Sequence, residues 1–401
     1  MTPSPATHKN ASGVNSIKLI LETDAIIQPV TGIGRYAFEL LKSFHSSPDI
    51  EALRCIDRGL WKRPGSILET FERENTQPTI PSPPERWHKN PVKAALRKLL
   101  PLVQGLQLAG YASEYIYHSP NYRLMPYKGK SVVTFHDLSL IRHPELHPED
   151  RLDELVPALE KSAMQADHII TDSEKVRREV MSHYGLGEDR VTAVPLASSF
   201  EPRSTDVPAR DRYLEDLGLA PGRYLLFTST LEPRKNVGGL LRAYRELPAS
   251  TRAHFPLVLA GQLGWKSDDI SAELSNPETA RQVRHIGYVS NQQLSYLYSG
   301  ARTFVYPTYY EGFGLPPIEA QAFSVPVITS NRSCLPEVTG GAALLIDPDD
   351  CDELTRAMLR LIEDPGLHTK LAQQGLENVR RFSWQNTAAQ TIDVYRRVMQ
   401  H

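Results

Sequence analysis

Cysteine is scarce in this 401-residue chain, with only Cys55, Cys334 and Cys351. Three widely spaced thiols build neither a disulfide framework nor a metal-ligand cluster, and they suit a reducing compartment. Long apolar runs are missing too: no stretch reaches the roughly 20 residues that span a bilayer. Residues 1–16 are polar and lack the apolar segment of a secretory signal, so a disordered tail on a cytoplasmic protein is expected. Surplus positive charge is also absent. The formal net charge of -2 argues against nucleic acid as a partner. What remains is ordinary for a soluble globular protein, with 40% hydrophobic and 23% charged residues. The length exceeds that of one usual core, so two domains are expected.

Short β-branched or aromatic runs alternate with longer amphipathic segments, and the alternation occurs twice. Strands are expected at 17–22, 115–118, 132–135, 168–171 and 191–194 in the first half. In the second half they fall at 223–228, 256–260, 284–288, 303–306, 326–329 and 343–346. Helical patterns lie between them, at 34–43, 153–166, 237–246, 292–299 and 351–363. This order predicts an α/β architecture of two doubly wound parallel sheets, each covered on both faces. A stretch rich in proline, serine and charge at 198–222 links them, giving units at 17–200 and 201–381. Residues 382–401 form a last helix, with Ser383 as N-cap and Trp384, Ala388, Ile392, Tyr395 and Met399 on one face. Ligands of such sheets sit beyond the carboxyl ends of the strands.

One stretch carries the most chemistry. Glu311-Gly-Phe-Gly-Leu-Pro-Pro-Ile-Glu319 follows the expected strand at 303–306. Gly312 and Gly314 permit positive φ and close approach of a ligand to the backbone. Pro316 and Pro317 suit a first helical turn, whose free N–H groups favour an anion. Carboxylates on either side, Glu311 and Glu319, can accept hydroxyls, which suits a nucleotide-sugar. Glu319 has an alternative duty, complementing the helix dipole. Glu311 has no obvious structural duty.

Three further motifs fall at strand ends. In Thr228-Ser-Thr-Leu-Glu-Pro-Arg-Lys-Asn236, Arg234 and Lys235 would stand where a diphosphate could be held, one as a planar fork and one as a compact charge. A solvated basic loop is the alternative. In Thr134-Phe-His-Asp-Leu138, His136 could bond a sugar hydroxyl or stabilise a charge-separated transition state. Asp137 could orient it or cap the next segment. In Thr31-Gly-Ile-Gly-Arg-Tyr36, Gly32 and Gly34 allow backbone approach, but the third glycine of the dinucleotide fingerprint is missing. Arg35 reads there as a helix-surface charge. Asp347, Asp349, Asp350 and Asp352 precede a helical pattern; capping explains them, and no metal is expected. The basic amphipathic segment 86–100 would lie either on an anionic membrane surface or against its own domain.

With these pieces in order, the chain resembles the retaining nucleotide-sugar glycosyltransferases of family 4. Their GT-B fold places two Rossmann-like doubly wound domains across a cleft. The resemblance is strongest over 224–384, where Tyr306-Pro-Thr-Tyr-Tyr-Glu-Gly-Phe-Gly-Leu-Pro316, Pro326-Val-Ile-Thr-Ser-Asn331 and Leu335-Pro-Glu-Val338 carry it. Thr31-Gly-Ile-Gly-Arg35, Phe135-His-Asp-Leu138 and Glu232-Pro-Arg-Lys-Asn236 are similar to the mannosyltransferases and rhamnosyltransferases that build bacterial polysaccharides.

The resemblance implies a GDP-linked donor such as GDP-mannose or GDP-rhamnose as co-substrate, no cofactor, and a growing lipid-linked glycan as acceptor. It implies that Glu319 holds the nucleotide ribose and Glu311 the donor sugar's hydroxyls. Backbone N–H groups of Gly312, Phe313, Gly314 and Leu315 would meet the sugar or phosphate. Arg234 and Lys235 would neutralise the diphosphate in place of a metal. His136 would face the transferred sugar across the cleft, with Gly32 to Gly34 near the diphosphate or acceptor. The loop 287–290 would lie near the base. The last helix would cross back onto the first domain. The setting would be cytoplasmic, with peripheral contact at the inner face of the plasma membrane. Many relatives carry a phosphate-binding arginine where this chain has Thr230, so Arg234 would take that part. Two other readings fit the same outline: a non-catalytic nucleotide-sugar-binding subunit and a nucleotide-sugar epimerase of the same fold.

Overall fold

Two separate parallel sheets organise the chain. The computed structural model describes residues 16–28, 30–76, 105–202 and 205–400. The basic segment at 86–100 lies outside them. The first sheet has seven strands in the order β3-β2-β1-β4-β5-β6-β7. These are β1 Ile17–Glu22, β2 Ile50–Asp57, β3 Leu60–Lys62, β4 Ile116–Ser119, β5 Ser131–Phe135, β6 His168–Thr171 and β7 Val191–Ala193. The second has six in the order β10-β9-β8-β11-β12-β13. Its strands are β8 Leu225–Thr228, β9 Leu257–Ala260, β10 Val283–Gly287, β11 Thr303–Tyr306, β12 Val327–Ser330 and β13 Ala343–Ile346. Every residue of β4, β5, β6, β8, β9, β11 and β12 is buried, as strands covered on both faces require.

Two strands were not expected. β2 pairs parallel with β1 and turns back antiparallel into β3. Arg58 and Gly59, with φ of 49° and 79°, form the turn, the geometry that favours a tight hairpin. β2 alternates apolar with charged residues near the sheet edge, so it lacks the continuous apolar run of its neighbours.

Each sheet has its own core, and a third apolar cluster joins the two units. It unites Ile17, Tyr36 and Phe44 of the first unit with Phe313, Ile318 and Val338 of the second and with Tyr395 of the last helix. That helix, Trp384–Gln400, lies against the first unit. Tyr395 Oη is 2.6 Å from His118 Nδ1, Thr387 Oγ1 donates to Pro195 O at 2.7 Å, and Arg396 pairs with Asp49 at 2.6 Å. The carboxyl ends of β1, β5 and β6 thus face those of β8 and β11, and the four motifs meet there.

Candidate functional site

After β11 the chain runs through Glu311 to Gly314, which adopts φ 88° and opens the helix Leu315–Ala322 with prolines in its first turn. A side chain at Gly314 would be strained by that φ and would lie 2.7 Å from Leu335 Cδ2. At Gly312 the demand comes from the other domain. A Cβ there would lie 1.7 Å from the carbonyl oxygen of His136. The space this glycine frees is taken by His136, and Ser173 Oγ donates to the Gly312 carbonyl at 2.7 Å. Phe313 turns inward, its ring 5.4 Å edge-on from that of Phe382.

Glu311 is buried, and its two oxygens divide between two cations. Oε1 lies 2.5 Å from Lys235 Nζ, and Oε2 lies 3.1 Å from Arg234 Nη1. Lys235 also donates to Tyr306 Oη at 2.9 Å. Arg234 pairs with Glu232 at 2.9 Å and donates to the Tyr310 carbonyl at 2.8 Å. Burial alone would raise the Glu311 carboxyl, but Arg234 and Lys235 outweigh it and hold the pKa below the ordinary value. Burial and the neighbouring Arg234 lower that of Lys235. Asp137 adds a third negative charge that Arg234 feels. The solvated-loop alternative for Arg234 and Lys235 therefore fails, because both are internal. Thr230 is exposed, so Arg234 is the arginine of this cluster.

His136, only 6% exposed, is bonded through both ring nitrogens. Nδ1 lies 2.8 Å from Asp172 Oδ2, and Nε2 lies 2.8 Å from the Pro120 carbonyl. A carbonyl only accepts, so Nε2 carries a proton. Burial opposes the imidazolium, yet Asp172 and the Pro120 carbonyl prevail and raise the His136 pKa. Asp137 does not orient the ring. Its Oδ1 accepts the Ser139 N–H at 2.8 Å, so it caps the next segment, and Asp172 at the end of β6 orients His136. Asp172 Oδ1 has no hydrogen-bond partner although it is buried.

Glu319 stands one helical turn beyond the glycine loop. Tyr298 Oη donates to its Oε2 at 3.0 Å and lies 2.7 Å from Thr228 Oγ1. Burial raises the Glu319 pKa, against the pull of Tyr298 and Arg35. Arg35 is thus no surface charge: its side chain is 12% exposed and feels Glu319 and Tyr288. Tyr288, half-buried in the loop 287–290, lies on that side of the cleft. The helix Gly32–His45 touches the helix Leu315–Ala322 here, since a Cβ on Gly32 would meet Leu315 Cδ1 at 3.6 Å. Gly34 answers a packing demand, because a Cβ there would lie 2.6 Å from the Ala25 carbonyl.

The acidic run after β13 is engaged structurally. Arg332 pairs with Asp347 at 2.6 Å and Asp349 at 2.7 Å, and Asp350 caps the helix Cys351–Glu363. Among the described residues, no cluster of histidine, cysteine and acidic side chains could hold a metal ion. No described helix is long and apolar enough to cross a membrane.

Glu311, Arg234 and Lys235 therefore form one buried ion-pair cluster, Asp137 acts on it electrostatically, and the His136 backbone packs against the glycine loop beside it. The family described as Glycosyltransferase Family 4 matches residues 30–197, and the family described as Glycosyl transferases group 1 matches residues 210–378. The O-antigen chain mannosyltransferase B of Escherichia coli is 38% identical over 389 residues, which is 95% of this chain and 100% of that protein. The chain belongs to the family 4 glycosyltransferases. The serotype-specific mannosyltransferase WbdA of Escherichia coli is 31% identical over 241 residues, covering 59% of this glycosyltransferase and 29% of WbdA. Solved structures agree on the GT-B fold. Anabaena HepE in complex with UDP-glucose superposes with TM-score 0.69 at 15% identity, over 96% of this chain and 100% of that one. WaaG, a glycosyltransferase involved in lipopolysaccharide biosynthesis, gives 0.66 at 14%, over 94% and 99%.

Several residues of this glycosyltransferase's site escape a motif search. Asp172 stands 36 residues from His136 in sequence, although it too follows a strand end. Glu232 and Tyr306 open two of the motifs quoted above, but as ordinary turn and strand residues that give no sign of their contact with the cation pair. Tyr298 lies on the helix Asn291–Gly300, where it looks like a core aromatic.

Proposed function

We propose that this glycosyltransferase moves a mannose-type sugar from a GDP-linked donor to a growing, lipid-linked bacterial glycan, with retention at the anomeric carbon. The observation that carries the sugar assignment is the end-to-end match to the Escherichia coli O-antigen mannosyltransferase, at 38% identity over 95% of the chain. In this reading Glu319 accepts the ribose hydroxyls, and Glu311 exchanges its ion pairs for hydroxyls of the donor sugar. Arg234 and Lys235 then turn to the diphosphate, so no metal is required. The bond from the anomeric carbon to the phosphate oxygen breaks, and the acceptor oxygen bonds that carbon on the same face. The acceptor's proton goes to the leaving phosphate oxygen, and no protein nucleophile takes part. Charge that develops on the diphosphate is met by groups already in place, where electrostatic catalysis is most effective.

Catalysis takes place at the inner face of the plasma membrane, where the lipid-linked acceptor would be reached. Thermal melting with GDP, UDP and ADP tests the nucleotide assignment. A ligand at a hundred times its Kd stabilises the native state by about 2.7 kcal/mol. GDP is expected to raise Tm most, and a preference for UDP would refute it.

A further inference from the structure

The first domain holds a cavity of about 260 Å³ that takes no part in the donor chemistry. It opens between the loop after β1, the β2–β3 hairpin and the helix Pro64–Thr76. We infer that this cavity binds one pyranose ring of the acceptor glycan, behind the ring that reacts. This rests on the glycan-acceptor reading proposed above.

Its size lies just below the usual range of small-molecule sites, which suits a single ring better than a nucleotide. Its chemistry suits a sugar. Ile26, Ile67 and Phe71 give an apolar wall for the C–H face of a pyranose. Acceptors line the same cavity, two of them on the helix that carries Ile67 and Phe71. Thr23 Oγ1 donates to the Ile56 carbonyl at 3.1 Å, Ser66 Oγ to Arg63 O at 2.8 Å and Thr70 Oγ1 to Ser66 O at 2.8 Å. Each hydroxyl has thus used its proton and keeps lone pairs for a sugar O–H. Asp57 adds a carboxylate, and Lys62, paired with it, adds donors. At the opening Ile27 is 43% exposed, and Leu60, on the same face of β3 as Lys62, is 65% exposed. Two large apolar side chains beside one polar cavity mark a binding mouth better than either would alone.

The position fixes which ring is bound. The cavity lies at the carboxyl ends of β1 and β2, the side of the sheet that faces the cleft. The helix Gly32–His45 separates it from the donor loop: Gly32 meets Leu315, and Phe38 stacks on Phe71 with centroids 3.9 Å apart. The six-residue step from Gly32 to Phe38 advances about 9 Å along a helix. The cavity is thereby set off from the donor loop, which suits a ring of the glycan already made rather than the one that reacts.

Calorimetry on the full chain saturated with GDP tests this, using methyl α-mannoside and an α-linked mannotrioside as probes. Thr70→Trp fills the cavity from an exposed helix position, and Asp57→Asn removes its carboxylate; unchanged melting temperatures confirm folding. Both variants are expected to bind the trioside about tenfold more weakly, or ~1.4 kcal/mol, with binding of the monosaccharide unaltered. Trioside affinity within twofold of the parent in both variants would overturn the site. Equal losses for both probes would also overturn it, because the effect would then reach the reacting ring. A parent chain that binds GDP but neither mannoside would overturn the acceptor reading itself, and that outcome is distinct from the other two.

Discussion

Lys235 Nζ lies 2.5 Å from Glu311 Oε1, with both side chains buried. The acid proposed to hold the donor sugar and the cations proposed to hold the adjoining diphosphate therefore grip each other. Arg234 closes the unit through the second Glu311 oxygen at 3.1 Å. Replacing one member strands the others.

Glu311→Ala should therefore destabilise the fold as well as abolish transfer. Breaking a buried pair by removing one partner costs about 3–5 kcal/mol. The double change Glu311→Gln with Lys235→Met should cost less than the sum of the single changes, because no stranded Lys235 charge remains and Arg234 keeps its pair with Glu232. Urea denaturation measures all four proteins, and strict additivity would show that the two side chains do not depend on each other. The Glu311 pKa is lowered in the fold, so its contribution is present above the ordinary glutamate range and is lost as pH falls through the lowered value.

Glu319→Gln should weaken GDP binding by about tenfold to a hundredfold, as expected when a carboxylate that takes hydroxyls becomes an amide. The raised pKa of Glu319 adds a pH signature. Ribose hydroxyls prefer the ionised carboxylate, so affinity should rise with pH through that raised value and then level off. The rise should vanish in the glutamine variant. Fluorescence titration from pH 5 to 8 reads both effects.

Asp172→Asn removes the anion that holds His136 protonated. Burial is then opposed only by the Pro120 carbonyl and Asp137, and the His136 pKa should fall. In the parent chain the pair's stabilisation is full below the unfolded histidine value and is lost as pH rises through the raised one. The alkaline limb of the kcat profile should move to lower pH in the variant, with GDP affinity within about twofold of the parent. A uniformly lower kcat with an unmoved limb would show that Asp172 acts only by packing.

Glu22, buried at the end of β1, is pushed up to about 8 by burial and by Asp24, against the hydrogen bond from Tyr117. Its contribution is full below the unfolded value of 4.5 and is lost as pH rises through about 8. Between those two values the parent should lose stability by about 1.4 kcal/mol per pH unit from this group, and the loss should level off above about 8. Glu22→Gln should remove that slope, so the variant should lose less stability than the parent between pH 5 and pH 8, as read by denaturation at pH 5, pH 6.5 and pH 8.

The sheets were legible because strands covered on both faces write themselves as unbroken apolar runs, as in β6 and β11. β2 was not, because an alternating strand near a sheet edge resembles a polar segment. The glutamate pair and Arg234-Lys235 were legible because each sits in one short strand-end motif. Asp172 and Arg35 were not. Their roles arise only when β6 lies beside β5, or when the helix Gly32–His45 meets the second domain, and neither contact has a local signature. Gly312 shows the same limit: its turn was visible in sequence, but the His136 carbonyl that forbids a side chain there belongs to the other domain.

The central claim is tested most directly by incubating the purified chain with GDP-mannose and a mannose-terminated lipid-linked acceptor, and reading the new linkage by NMR. The account predicts transfer of one or more mannose residues, each with the α configuration of the donor. A β linkage, or transfer from UDP-sugars but not from GDP-mannose, would contradict it.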